Sequence, residues 1–127
     1  MGFIQMIHSI NRWIIVVVAI VAMIKFLIGW LRGASYQPAD RGLMAAYTGL
    51  LDLQLILGII LLIGLGLVGY RIEHAVTMLI AIILAHLSRL WREKPDQVKF
   101  RNNFLAILIG MLLIIAGVFI LPQGWFG

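Results

Sequence analysis

Four apolar runs of membrane-spanning length, separated by short polar connections, make up nearly the whole chain. The runs cover roughly residues 14–31, 43–68, 72–90 and 104–121, and an amphipathic lead-in that contains His8 extends the first one back toward residue 3. A transmembrane helix needs about 20 mostly apolar residues, so each run can cross a bilayer. Hydrophobic residues form 63% of the chain and charged residues 12%, and a soluble domain of this size could not bury so much apolar surface. The sequence predicts one all-α integral membrane domain, residues 1–127.

The connections are short enough to predict how the helices follow one another. Residues 32–42 contain glycine, serine, proline and aspartate, which are typical of turns. Residues 69–71 form a tight link, and residues 91–101 include a proline. Short loops favour antiparallel neighbours, which predicts a four-helix up-down-up-down bundle.

The distribution of basic residues predicts the orientation. Arg12 and Arg71 lie on one side, whereas the connections on the other side hold most of the positive charge: Arg32, Arg41, Arg89, Arg92, Lys94, Lys99 and Arg101. The positive-inside rule places the richer side in the cytoplasm and both termini outside. Tryptophans are expected at the membrane boundaries, and four fall near run ends: Trp13, Trp30, Trp91 and Trp125.

The composition excludes several classes of function. The chain has no cysteine, which excludes disulfides, thiolate metal sites, iron–sulfur clusters and covalent c-type haem attachment. It also has no metal-hydrolase motif or phosphate loop, so an independent enzyme is the least favoured class. The net charge of +5 is explained by topology and anionic lipid head groups. We therefore expect the lipid bilayer as a partner and no nucleic acid.

Two histidines are predicted at a similar depth near the outer face. His8 lies near the outer end of the first helix and His74 near that of the third. In an up-down bundle these helices are usually diagonal, and two imidazoles on diagonal helices can clamp a haem. His86 follows His74 by twelve residues, about 18 Å along one helix, and cannot ligate the same iron. We expect His8 and His74 to bind one haem.

Glycines and arginines near this depth extend the prediction. Gly64 in the second helix and Gly117 in the fourth allow a bulky ring to approach, although small residues also serve helix packing in membranes. Further glycines in these helices are Gly58, Gly66 and Gly110. Arg12 and Arg71 can pair with haem propionates. Alternatively, Arg12 pairs with Glu73 or extends to the interface.

Further polar residues lie deeper in the predicted spans. An isolated Asp52 carboxylate would be strongly disfavoured there, and Lys25 has a compatible depth, so an ion pair between them is one prediction. A proton relay or quinone contact near the cytoplasmic side, formed by Asp52, Gln54 and His86, is the alternative. For His86 alone, a structural role is favoured over a ligand role.

The order of these residues resembles that of a known family. The segment His8–Trp13, then Gln54, then Glu73 and His74 opening the third helix, and Arg89 closing it, resembles small bacterial four-helix membrane proteins labelled cytochrome b or cytochrome b-like. The resemblance covers nearly the whole chain. It implies one haem b per chain, with iron bound by the two matching histidines, and a location in the bacterial inner membrane.

Three functions remain open from the sequence. The first is a membrane b-type haem protein that transfers electrons, with a quinone or a larger redox complex as partner. The second is a non-catalytic accessory subunit of a membrane complex. The third is a small oligomeric transporter, although no proline interrupts a span as the broken helices of many transporters would suggest. A homodimer is compatible with each.

Overall fold

The structure, a computed structural model, describes residues 2–126, among which every regular element is helical. The four long helices are α1 (Gly2–Arg32), α2 (Pro38–Leu65), α3 (Gly69–His86) and α4 (Asp96–Ile120). A 3-10 segment, Leu87–Trp91, continues α3, and a second one, Gly124–Phe126, follows α4. With the continuation of α3 included, all four are long and apolar enough to cross a membrane. The predicted all-α class is confirmed, and so are four helices long and apolar enough to cross a membrane.

Helices α2 and α4 begin earlier than the apolar runs, at residues that suit the first turn of a helix. Helix α2 starts at Pro38, where the fixed φ of proline and its missing N–H suit the first turn of a helix. Asp40 and Asp96 lie in the first turns of α2 and α4, where a carboxylate interacts favourably with the helix dipole. Helix α2 ends at Leu65, and the residue that caps it is Gly66, whose φ of 104° favours glycine.

Each helix packs against two neighbours. Helix α1 contacts α2 and α4, whereas α3 contacts α4 and, less extensively, α2. Helices α1 and α3 therefore occupy diagonal corners of the four-helix bundle. The most completely buried side chains include Phe26 of α1, Tyr47 of α2, and Phe100 and Ile107 of α4. The core therefore lies between the helices, in the interior of the bundle.

The α1–α2 connection is anchored to α4 by a chain of hydrogen bonds. The backbone N–H of Tyr36 donates to Oδ2 of Asp96 at 3.1 Å, and its hydroxyl accepts from Nδ2 of Asn103 at 2.8 Å. Oδ1 of Asn103 accepts from the indole N–H of Trp91 at 2.7 Å. Burial raises the pKa of Tyr36, so the hydroxyl that Asn103 contacts stays protonated at neutral pH.

Close packing at Gly29 leads to a testable prediction. A Cβ at Gly29 would lie 2.6 Å from Cε1 of Phe100, whose ring is 1% exposed and packs edge-on against Tyr36. Since this ring has little room to move, Gly29→Ala is expected to lower the free energy of unfolding by about 1–3 kcal/mol. Reversible unfolding in detergent micelles measures the effect. The matched control is Gly42→Ala, which has no neighbour within 4 Å; an equal loss there would contradict the packing argument.

Candidate functional site

His74 is held in one orientation by a backbone carbonyl. It lies in the second turn of α3, and its Nδ1 is 2.8 Å from the carbonyl oxygen of Gly117 in α4. Because a carbonyl only accepts, Nδ1 carries the hydrogen and Nε2 of the neutral ring keeps its lone pair. Nε2 has no hydrogen-bond partner in the part of the chain that the structure describes. Backbone carbonyls orient metal-binding imidazoles in this way.

Gly117 permits this hydrogen bond by bringing α3 and α4 together. A Cβ at Gly117 would lie 2.6 Å from Cε of Met78 and 3.2 Å from Cγ2 of Thr77. The residue is predicted from the sequence as a flank of the haem, whereas the structure places it against α3, where its carbonyl binds His74. No sequence signal reveals that carbonyl, since every residue carries one.

Gly117→Val is therefore expected to separate α3 from α4 and to weaken the hydrogen bond from His74. We expect a loss of about 1–3 kcal/mol in stability and changed imidazole nitrogen shifts of His74 in protein labelled with 15N-histidine. Ala116→Val, at the exposed neighbouring position, is the control and should leave both unchanged. Unchanged His74 shifts in Gly117→Val would show that the carbonyl does not orient the ring.

His8 lies on α1 with its ring directed toward α2. Its Nε2 is 3.6 Å from the position that a Cβ of Gly58 would take, an ordinary van der Waals distance, so the imidazole packs against α2 at Gly58. Neither ring nitrogen has a hydrogen-bond partner within residues 2–126. His8 interacts electrostatically with His74 and Arg12, and Arg12 also with His74. The two histidines predicted from the sequence are thus brought together.

An amide cluster joins the His8 turn of α1 to α2. Nε2 of Gln54 donates to the backbone carbonyl of His8 at 2.8 Å. Nδ2 of Asn11 donates to Oε1 of Gln54 at 2.8 Å and to the carbonyl of Leu50 at 3.1 Å. Gln54 therefore sets the position of α1 relative to α2 at the level of His8, a role that its position in the sequence did not reveal.

Arg12 is enclosed by two tryptophans. Its guanidinium carbon lies 5.8 Å from the ring centroid of Trp13 and 5.3 Å from that of Trp125. Its Nη2 donates a hydrogen bond to the carbonyl of Trp125 at 2.8 Å. Trp13, predicted near a helix end, lies inside α1. Among the described residues no ion pair joins Arg12 to Glu73, so that alternative is wrong.

The buried Nε of Arg12 has no hydrogen-bond partner in the part of the chain that the structure describes. An unpaired buried donor is costly, and its proximity to both histidines suits an anionic group. The two free imidazole nitrogens and this cationic donor fit the axial ligands and a propionate partner of a haem.

The other two predicted site residues flank the α2–α3 connection: Gly64 lies in the last turn of α2 and Arg71 in the first turn of α3. Nη1 of Arg71 donates to the carbonyls of Leu65 and Gly66, which satisfies groups left free at a helix C-terminus. Gly64 is exposed in the last turn of α2. The α2 glycine that the structure places against His8 is Gly58, one turn after Gln54.

The predicted Lys25–Asp52 ion pair is wrong. Nζ of Lys25 contacts Oδ1 of Asp40, whose side chain is 1% exposed. Asp40 is available because α2 begins at Pro38 rather than near residue 43. Asp52 instead pairs with His86: its Oδ1 is 2.7 Å from Nε2 of the imidazole. Since Gln54 binds α1 while Asp52 binds α3, these residues do not line one continuous polar track.

No protein-family model, curated protein or solved structure matches this chain. Within residues 2–126, no three histidine, aspartate or glutamate side chains come together as a metal-ion site. A haem iron differs from such an ion because its porphyrin supplies four ligands and the protein only the axial ones.

Proposed function

We propose that this chain is a membrane-bound b-type haem protein that transfers electrons, with one haem b held between α1 and α3. His8 and His74 would hold its iron. The observation that carries the proposal is the orientation of His74: the carbonyl of Gly117 takes Nδ1–H and leaves Nε2 free, close enough to His8 for the two rings to interact electrostatically. Bound haem supplies an iron that accepts and releases one electron.

The protein's own groups have separate roles in this proposal. Gln54 and Asn11 hold the turn that carries His8, and Gly117 selects the tautomer of His74. The unpaired Nε of Arg12 is the donor for a propionate, because a buried guanidinium binds carboxylates strongly. Arg71, which already binds two backbone carbonyls, is the secondary candidate.

We further propose an up-down-up-down bundle in the bacterial inner membrane, with the termini and the haem near the non-cytoplasmic face. The contacts of Lys25 with Asp40 and of Gln54 with His8 support opposite directions for α1 and α2. Helix α1 has 31 residues, about 46 Å at 1.5 Å per residue. Because the hydrocarbon core is about 30 Å thick, α1 tilts or protrudes.

The test is the absorption spectrum of the protein purified from cells supplied with a haem precursor. We expect a reduced-minus-oxidised spectrum of low-spin, bis-histidine haem b and a haem-to-protein ratio near one. A folded, pigment-free preparation that also fails to take up added haem would refute the proposal. It would favour the alternative of an accessory subunit in a membrane complex.

A further inference from the structure

A hydrogen-bonded acid–base pair lies on the surface of the bundle between α2 and α3. Oδ1 of Asp52 is 2.7 Å from Nε2 of His86, and the two side chains are 45% and 34% exposed. Asp52 follows the start of α2 by fourteen residues, about 21 Å along the helix. The pair therefore lies within the membrane-spanning part of both helices.

Large aliphatic side chains are exposed near the pair. They are Leu53, Ile56 and Ile83 on the two helices and Leu90 on the 3-10 segment that continues α3. The exposed Arg89 follows His86 by three residues. Polar groups that face hydrocarbon without a partner are costly. A stable bilayer protein is thus expected to have a polar group of another molecule over Asp52 and His86.

The pair has one open hydrogen-bonding edge. The carboxylate accepts from Nε2–H, which leaves the lone pair on Nδ1 of His86 and the second oxygen of Asp52 available. Neither has a hydrogen-bond partner among residues 2–126. A carboxylate behind an imidazole makes its far nitrogen a better proton acceptor, so this edge suits a hydroxyl group with an acidic proton.

We propose that Asp52 and His86 bind the ring hydroxyl of a membrane-soluble hydroquinone. The hydroxyl donates to Nδ1 of His86, while Asp52 holds the imidazole through Nε2. Gly49 lies one turn before Asp52, and no atom lies within 4 Å of the position of its Cβ, which leaves room for a flat ring. The exposed aliphatic side chains are suited to an isoprenoid tail.

The choice of a hydroquinone rests on the proposed function, because a lipid-soluble hydroquinone can supply electrons to a haem protein inside the bilayer. A second copy of the chain is the competing occupant. It is less favoured because close helix packing in membranes favours small residues, whereas large branched residues flank Asp52 and His86.

The experiment titrates a decyl-tailed benzohydroquinone into protein labelled with 15N-histidine in lipid nanodiscs. The chain has only three histidines, so the imidazole nitrogens can be assigned with single variants. We expect a saturable shift at His86 with little change at His74. The dimethyl ether of the same compound, which lacks the hydroxyl, should cause no such shift.

Two variants test the site through the ligand's own signals, observed by saturation transfer. His86→Phe is expected to weaken binding about tenfold or more, since it removes a hydrogen bond to a charged pair. If that variant does not fold, Asp52→Asn keeps an acceptor for Nε2–H and should weaken binding several-fold. Ser88→Ala, on the same helix segment, is the control and should bind normally.

Three results would overturn this inference: no saturable shift at His86, an equal shift with the dimethyl ether, or efficient disulfide cross-linking of Ile56→Cys between two copies in place of ligand binding. The result is independent of haem. Hydroquinone binding without bound haem would refute only the proposed function, and bound haem without hydroquinone binding would refute only the role of Asp52 and His86.

Discussion

His8→Ala and His74→Ala are each expected to abolish the low-spin haem spectrum. A bis-histidine haem needs two imidazoles from opposing helices, and the chain has no nearby histidine to replace either. Residual haem in each variant should be high-spin, with haem content reduced by half or more. Absorption spectra of ferric and ferrous protein, normalised to protein concentration, measure both effects.

His86→Ala is the matched control because it removes the third histidine while leaving the proposed ligands in place. It should keep the low-spin spectrum, since His86 is bound to Asp52 on the α2–α3 surface. Loss of low-spin haem in this variant, or its retention in His74→Ala, would contradict the ligand assignment. Thermal unfolding of all three variants separates ligand loss from misfolding.

Lys25→Met is expected to lower the free energy of unfolding by about 2–3 kcal/mol. It leaves the carboxylate of Asp40, which is 1% exposed, without its cation, and breaking a buried pair in this way costs about 3–5 kcal/mol. The lower figure applies because Lys25 is 45% exposed and solvent screens its charge. Reversible unfolding in mixed micelles gives the value.

The double variant Lys25→Met, Asp40→Leu supplies the control. Replacing both partners removes the unpaired charge, so its stability should lie closer to that of the natural protein than the single variant does. The double variant should still be less stable than the natural protein, because it loses the hydrogen bond that Oδ2 of Asp40 accepts from the N–H of Gln37 at 2.8 Å. A double variant less stable than Lys25→Met would contradict this account.

The fold could be predicted from the sequence because apolar length alone requires helices in a bilayer, where backbone groups must be satisfied internally. The helix starts could not be predicted from hydropathy, which does not count Pro38 or Asp96 as part of a span. That error produced the wrong partner for Lys25: with α2 begun near residue 43, Asp40 belonged to a loop and Asp52 was the first acid in the helix.

The site was predictable only in part. The similar depth of His8 and His74 could be predicted, because the number of residues along a helix converts directly into a distance along its axis. The groups that orient them depend on helix rotation and on backbone atoms. Gln54 and the carbonyl of Gly117 are examples, because a sequence records neither which way α2 turns nor which carbonyl faces an imidazole.

The contact between Arg12 and the carbonyl of Trp125 joins residues 113 positions apart. During synthesis, residue 12 is made long before residue 125 leaves the ribosome, and the rest of α1 and the other three long helices are made between them. Until then the guanidinium lacks its backbone acceptor and the second indole over it. The contacts of Arg12 with Trp125 therefore form only after all four long helices have been made, which makes them a late event in biogenesis.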